Sequence, residues 1–187
     1  YVYALDAGSG TKIWEFETGK KIWATPVIEN GVLYIGSFDN NFYALSADTG
    51  EELWNFKADG VFTSAAVIEG NTIFFGSLDR NLYALDKNTG TQKWVFTADR
   101  WFWTTPVILD GVVYAPNTDN TVYAVDAVSG ALLKRYDLTA PISSSPVVMN
   151  GKIVVAAQDG VISIIDPATG EIKVLAELEV TVRASLT

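Results

Sequence analysis

Residues 84–94 read ALDKNTGTQKW, and variants of this segment return at a constant interval along the chain. The variants are ALDAGSGTKIW at 4–14, ALSADTGEELW at 44–54, AVDAVSGALLK at 124–134 and IIDPATGEIKV at 164–174. Their shared glycines, 40 residues apart, are Gly10, Gly50, Gly90, Gly130 and Gly170. A period near 40 residues without a helical pattern predicts a repeated β unit, such as a propeller blade.

Three other residue series keep the same interval, so one register describes the whole chain. The tyrosines are Tyr3, Tyr43, Tyr83 and Tyr123, and the aspartates are Asp39, Asp79, Asp119 and Asp159. The prolines are Pro26, Pro106 and Pro146, with Ala66 and Leu186 in the two gaps. An aspartate that returns at a turn in every unit is typical of a structural Asx turn, whereas an active site occurs once.

Turn residues divide one unit, residues 101–140, into four short runs rich in Val, Tyr, Trp, Phe and Thr. The first break, Asp110-Gly111, matches the two-residue hairpin turn that requires positive φ, and Asn30-Gly31 and Asn150-Gly151 correspond to it. The second break is at Asp119, and the third ends at Gly130, for which we expect a left-handed conformation. Four antiparallel strands per unit predict an all-β propeller blade.

The repeat predicts where one blade ends and the next begins. Residues 1–20 would supply the last two strands of a blade, and residues 181–187 the first strand of a further one. The predicted blades between them are 21–60, 61–100, 101–140 and 141–180.

The motif A-x-D-x-x-T-G-x-x-x-W at 84–94 resembles the tryptophan-docking motif of pyrroloquinoline-quinone-type (PQQ-like) β-propellers, in particular their BamB-like non-catalytic branch. The resemblance covers the whole chain. It implies that Trp14, Trp54 and Trp94 pack on the repeat glycines of adjoining units and hold blade to blade. The pattern departs from the motif at Lys134 and Val174, which replace the tryptophan. The Gly-His and Trp-Asp signatures of WD40 propellers are absent.

Propellers of this family that bind quinone usually close with eight blades, which takes roughly 320 residues at this period. We therefore expect the 187 residues to be a partial propeller, completed by further blades of a longer chain or by a second chain. A five-bladed ring, in which residues 181–187 complete the blade begun by residues 1–20, is the alternative. That blade would lack its second strand.

The segment RWFW at 100–103 differs from its counterparts in other units. Position 102 is apolar in every unit, so Phe102 is predicted to lie in the core. The segment is predicted to begin the first strand of its blade, and a first strand lines the central channel of a propeller. Positions 101 and 103 vary. The candidate channel or partner contacts on this face are Trp23, Trp101, Trp103 and Arg183. They either plug the channel or bind a partner, since Trp and Arg are enriched at binding hot spots.

Composition excludes several classes of function. A net charge of −9 repels phosphate backbones and anionic lipids, so we expect no nucleic-acid partner. No apolar run approaches the roughly 20 residues of a membrane span. The sequence contains no Cys and no His, which removes disulfides, thiolate metal sites and the commonest general base. DKNTG at 86–90 has part of a calcium-loop pattern, but Thr97 stands where the last acidic ligand is needed.

The resemblance leaves two functional classes. Quinone-dependent dehydrogenases of the family hold calcium with Glu, Asn and Asp and use an Asp base, and no catalytic, cofactor-binding or metal-binding residue can be transferred to this chain. We therefore expect a non-catalytic scaffold without a cofactor that binds a protein partner in the periplasm or outside the cell. The alternative is a segment of a quinoprotein dehydrogenase whose ligands lie outside these residues.

Overall fold

Each predicted run of β-branched and aromatic residues forms a short strand, and glycine-containing turns join neighbouring strands. The computed structural model describes residues 1–182, which contain strands and no helix. Positive φ angles occur at the predicted first hairpin turn, with 51° at Asp110 and 73° at Gly111. They also occur at the repeat glycines, such as 70° at Gly90. The turn predictions are therefore confirmed.

The strands form one two-stranded and four four-stranded antiparallel sheets, each in sequence order. The two-stranded sheet is β1 (Val2–Leu5) and β2 (Lys12–Phe16). The next two sheets are β3 (Val27–Glu29), β4 (Val32–Gly36), β5 (Asn41–Ser46), β6 (Glu52–Lys57), and β7 (Val67–Glu69), β8 (Thr72–Gly76), β9 (Asn81–Asp86), β10 (Gln92–Thr97). The last two are β11 (Val107–Leu109), β12 (Val112–Pro116), β13 (Thr121–Asp126), β14 (Leu132–Asp137), and β15 (Val147–Met149), β16 (Lys152–Ala156), β17 (Val161–Ile165), β18 (Ile172–Glu177).

The hydrophobic core consists of separate layers, each between two successive sheets. One layer joins the sheets β3–β6 and β7–β10 and contains Phe42, Phe62 and Phe75. The rings of Phe42 and Phe75 stack with their centroids 3.9 Å apart. Equivalent layers lie between the other neighbouring sheets. Since each sheet packs mainly on its neighbours, the core is built by repetition of one interface.

The first strands lie on the inner side of the array, because β11 contacts both β7 and β15. Over residues 1–182 the array does not close into a ring, as expected for a partial propeller built of four-stranded blades. The predicted all-β propeller fold is thus present. Most of the expected further strand, residues 181–187, lies outside the described residues.

Candidate functional site

Three tryptophans join successive sheets. The indole of each lies against the backbone of the repeat glycine 36 positions later, and its Nε1 donates a hydrogen bond to a backbone oxygen 33 positions later. The donor–acceptor distances are 2.9 Å from Trp14 to Ala47, 3.0 Å from Trp54 to Lys87 and 3.0 Å from Trp94 to Ala127. The glycines beneath these rings are Gly50, Gly90 and Gly130. The repeat position must be glycine, because a side chain there would occupy the space of the indole.

The fourth such position carries Lys134, whose Nζ lies 3.4 Å from the backbone oxygen of Gly170. A lysine therefore takes the place of the indole on the next repeat glycine. Val174, in the fifth repeat, is half-exposed, and a side chain added at Gly10 would meet no atom within 4 Å. The two ends of the array consequently lack the contact that the interior positions have.

The repeated aspartates are bound within the turn between the second and third strands. Asp39 Oδ1 accepts a hydrogen bond from the Asn41 N–H, and Asp39 Oδ2 accepts bonds from the Tyr43 hydroxyl and the Gly19 N–H. Burial would raise the pKa of Asp39, but these hydrogen bonds outweigh it and lower that pKa. Burial and the bond to Asp39 raise the pKa of Tyr43 to about 12.

Two further units repeat this tyrosine–aspartate pair. The Tyr83 hydroxyl lies 2.8 Å from Asp79 Oδ2, and the Tyr123 hydroxyl lies 2.6 Å from Asp119 Oδ2. Burial and the aspartate raise the pKa of both phenols. Asp159 keeps only the turn bond, to the Val161 N–H, since Ser163 stands at the tyrosine position. The carboxylates therefore hold turns together, as the Asx interpretation predicts.

The expectation that RWFW forms the start of a first strand is wrong, because β11 begins at Val107. Residues 100 and 101 are bonded to the neighbouring turn instead. Asn117 Nδ2 donates to the Arg100 oxygen, and the Thr118 N–H donates to the Trp101 oxygen. β7 likewise begins at Val67 although Ala66 stands at the position of Pro106, so the proline does not set the start of the strand.

The two faces of this segment differ in burial as predicted. Phe102 is 1% exposed and lies in the layer between the sheets β7–β10 and β11–β14. Trp101 is 51% exposed, and Trp103 is partly buried. The segment therefore anchors itself through Phe102 and presents indoles on the other side.

Trp101 and Trp103 line a pocket of about 500 Å³ between the sheets β11–β14 and β15–β18. The remaining lining residues are Arg100, Thr118, Pro141, Ser143 and Gln158. The Gln158 N–H donates to the Pro141 oxygen, so both walls are fixed by turn hydrogen bonds. A volume of this size with apolar walls and a few polar groups is typical of ligand-binding pockets.

A second aromatic group lies at one end of the sheet β3–β6. Trp23 is 56% exposed and contacts the Phe38 ring edge-on, with 4.7 Å between the centroids. The Lys21 ammonium lies 4.3 Å from the Trp23 ring centroid, within cation–π range. Both groups occupy the segment before a first strand and the turn between second and third strands, so both lie at the same end of the sheets. We call Trp23, Phe38, Trp101 and Trp103 the aromatic end. Arg183 lies outside the described residues.

Within residues 1–182, no group of three or more His, Cys, Asp or Glu side chains is placed to hold a metal ion. In the DKNTG turn, Asp86 Oδ1 accepts hydrogen bonds from the N–H groups of Asn88 and Thr89.

Over residues 1–182, no helix is long and apolar enough to cross a membrane.

A family profile described as outer membrane protein assembly factor BamB matches residues 1–100 and 96–173. The chain belongs to this family. A comparison with curated proteins finds no match. The family assignment agrees with the repeat motif that the sequence displays.

Solved structures of different kinds share the fold. BamB from Moraxella catarrhalis superposes with a TM-score of 0.81 at 24% identity, covering 94% of this chain and 55% of that chain. The computationally designed Ika8 protein gives 0.84 at 17% identity, covering 96% and 57%. The quinohemoprotein alcohol dehydrogenase ADHIIG from Pseudomonas putida HK5 gives 0.75 at 17% identity, covering 93% and 39%. This chain therefore spans little more than half the length of the first two.

Sequence reasoning missed two features of the site. Phe38 was not recognised, although Leu78, Thr118 and Gln158 at the corresponding positions show that this position varies as 101 and 103 do. The link between each repeated tyrosine and aspartate was also missed. Their constant separation of four residues was the signal that could have found it.

Proposed function

We propose that the protein is a non-catalytic PQQ-like propeller segment that acts as a protein-interaction scaffold in the cell envelope. The observation that carries the proposal is the aromatic end, where Trp23 and Trp101 are half-exposed. Phe42, Phe62 and Phe75, in contrast, are fully buried between sheets. Large aromatic side chains left at one end of a fold are typical of hot spots for protein binding.

The family description suggests a class of partner and a compartment for this proposal. Its description names an outer membrane protein assembly factor, so the partner proposed here is a component of outer-membrane protein assembly, met in the periplasm. In this proposal Trp14, Trp54 and Trp94, with their glycines, hold the sheets in a fixed arrangement, so that the aromatic end stays preorganised. Further blades come from a longer chain or from a second chain.

The likeness to a quinohemoprotein alcohol dehydrogenase favours one alternative. In that alternative the chain is a segment of a PQQ-dependent dehydrogenase, and the quinone and calcium ligands lie outside the described residues. The two proposals differ in what the aromatic end does. A scaffold uses it to contact a protein, whereas a dehydrogenase segment has no need of a protein contact there.

Site-specific photocrosslinking tests the scaffold proposal. A benzoylphenylalanine placed at position 101 should give one reproducible product in living cells, with a component of outer-membrane protein assembly identified by mass spectrometry. Val128 is the control position, because it is 87% exposed and lies in the turn between third and fourth strands, at the opposite end of the sheets. The same product from position 128, or none from position 101, would contradict the proposal.

A further inference from the structure

The pocket lined by Trp101 and Trp103, which we call the indole pocket, has walls rich in unused N–H donors. Within residues 1–182 both tryptophans make hydrogen bonds only through backbone atoms, so neither indole N–H has a partner there. The side chains of Arg100 and Gln158 likewise have no hydrogen-bond partner among the described residues. The docking tryptophans, in contrast, each donate to a backbone oxygen of the next sheet.

A ligand in the indole pocket can meet these donors. Trp101 is half-exposed, and Arg100 is exposed. The buried side-chain polar atoms without a partner in residues 1–182 do not include those of Trp103 or Gln158, so these two groups are accessible. The Ser143 hydroxyl is closed off and therefore supplies no contact.

Backbone acceptors on the same walls are already used. The backbone oxygens of Arg100, Trp101 and Pro141 each accept a hydrogen bond from a turn between second and third strands. No Asp or Glu side chain lines the indole pocket. Since an indole or a guanidinium donates and cannot accept, the walls favour a ligand that brings hydrogen-bond acceptors and few donors.

A proline-rich segment in the polyproline II conformation has this chemistry. Each proline supplies a backbone carbonyl and no N–H. Aromatic-lined grooves bind such segments, because the preformed helix loses little entropy on binding. An ordinary extended segment brings an N–H at each residue, and the indole pocket has no strand edge to accept it, because β11 and β15 begin only at Val107 and Val147.

We infer that the indole pocket binds a proline-rich segment of the partner protein. The inference rests on the proposed function and defines the chemistry of the contact at Trp101. The two indole rings pack on proline rings of the segment, and the indole and Gln158 N–H groups donate to its carbonyl oxygens. Trp23 lies in another sheet and takes no part in this contact.

Indole and amide N–H signals of the full chain, followed by NMR, test the inference. The probe is an acetylated decaproline amide, which is uncharged and forms polyproline II, and the control is a flexible Gly-Ser repeat peptide of equal length. Decaproline should shift the indole signals of Trp101 and Trp103 saturably. It should leave the indole signal of Trp54 unchanged, because that ring packs between sheets. A titration with 3-phenylpropionate examines a small aromatic carboxylate as the competing ligand.

Variants locate the binding site. Trp101→Ser and Gln158→Leu should each weaken decaproline binding at least fivefold, and Trp103→Phe, which keeps an aromatic ring but removes the N–H, should weaken it as well. Trp23→Ser is the matched control, because Trp23 is 56% exposed at the same end of the sheets but lies outside the indole pocket. It should leave decaproline binding unchanged. The amide signals of residues far from the substitution report whether each variant is folded.

The absence of a saturable shift at Trp101 and Trp103, an equal response to the Gly-Ser peptide, or a stronger response to 3-phenylpropionate would overturn the inference. An equal loss of binding in Trp23→Ser would do so too. A crosslinked partner at position 101 without any response to decaproline would overturn this inference alone and leave the proposed function standing. A saturable response without a crosslinked partner would support the inference and contradict only the proposed function.

Discussion

The indole of Trp54 lies on the backbone of Gly90 in the following sheet, so closely that a Cβ added to the glycine would come within 2.7 Å of the ring. The same tryptophan donates a hydrogen bond to the Lys87 oxygen in that sheet. One side chain thus joins two sheets through both packing and a polar bond. Removal of this side chain should lower the free energy of unfolding of the whole array.

Trp54→Ala and Trp94→Ala should each lower the free energy of unfolding by roughly 3 to 5 kcal/mol, because each leaves a cavity between sheets. Equilibrium denaturant unfolding measures the change. Losses below about 1 kcal/mol would show that the tryptophans do not hold the sheets together.

Gly90→Ala should destabilise more than Gly10→Ala. Both glycines have positive φ, 70° at Gly90 and 72° at Gly10, so alanine introduces the same backbone strain at either position. Only at Gly90 does the added Cβ meet an indole. The difference in unfolding free energy between the two variants should be about 1 to 3 kcal/mol, as for overpacking. Equal losses of unfolding free energy in the two variants would show that Gly90 is needed only for its backbone conformation.

Phe102→Ala should cost roughly 3 to 5 kcal/mol, since it empties a buried site. Trp101→Ser and Trp103→Thr use residue types found at position 103 in other units, and each should cost about 1 kcal/mol or less. Thermal and denaturant unfolding measure all three. Equal losses in the three variants would make the tryptophans part of the core and remove the basis for binding at the aromatic end.

Sequence reasoning succeeded where local chemistry decides the structure. The turns were predictable because Asp110-Gly111 and the repeat glycines favour positive φ whatever surrounds them. The burial of Phe102 followed from an apolar position kept in every unit. The start of β11 was not predictable, because Trp101 bonds to a turn residue, Thr118, that is distant in the sequence. The pocket lined by Trp101 and Trp103 likewise depends on side chains from two units.

Stability should fall between pH 10 and 12 through the tyrosine–aspartate pairs. The pKa of the Tyr43 phenol is about 10 in the unfolded chain and about 12 in the folded chain. Its contribution to the free energy of unfolding is therefore complete below pH 10. That contribution is lost as the pH rises through 12, because the unfolded chain releases the proton first. Tyr43→Phe should therefore make stability less dependent on pH in this window. Tyr3→Phe, at the corresponding exposed position, is the control, and an equal effect there would contradict the assignment.

We propose that the aromatic end binds a protein while the core alone maintains the fold. The most direct test of this claim is the dissociation constant of the partner found by crosslinking at position 101, measured for the parent protein, Trp101→Ser and the exposed control Val128→Ser. We predict that Trp101→Ser weakens binding by more than tenfold, with a melting temperature close to that of the parent, while Val128→Ser leaves both unchanged. Unaltered affinity in the folded Trp101→Ser variant would contradict the claim.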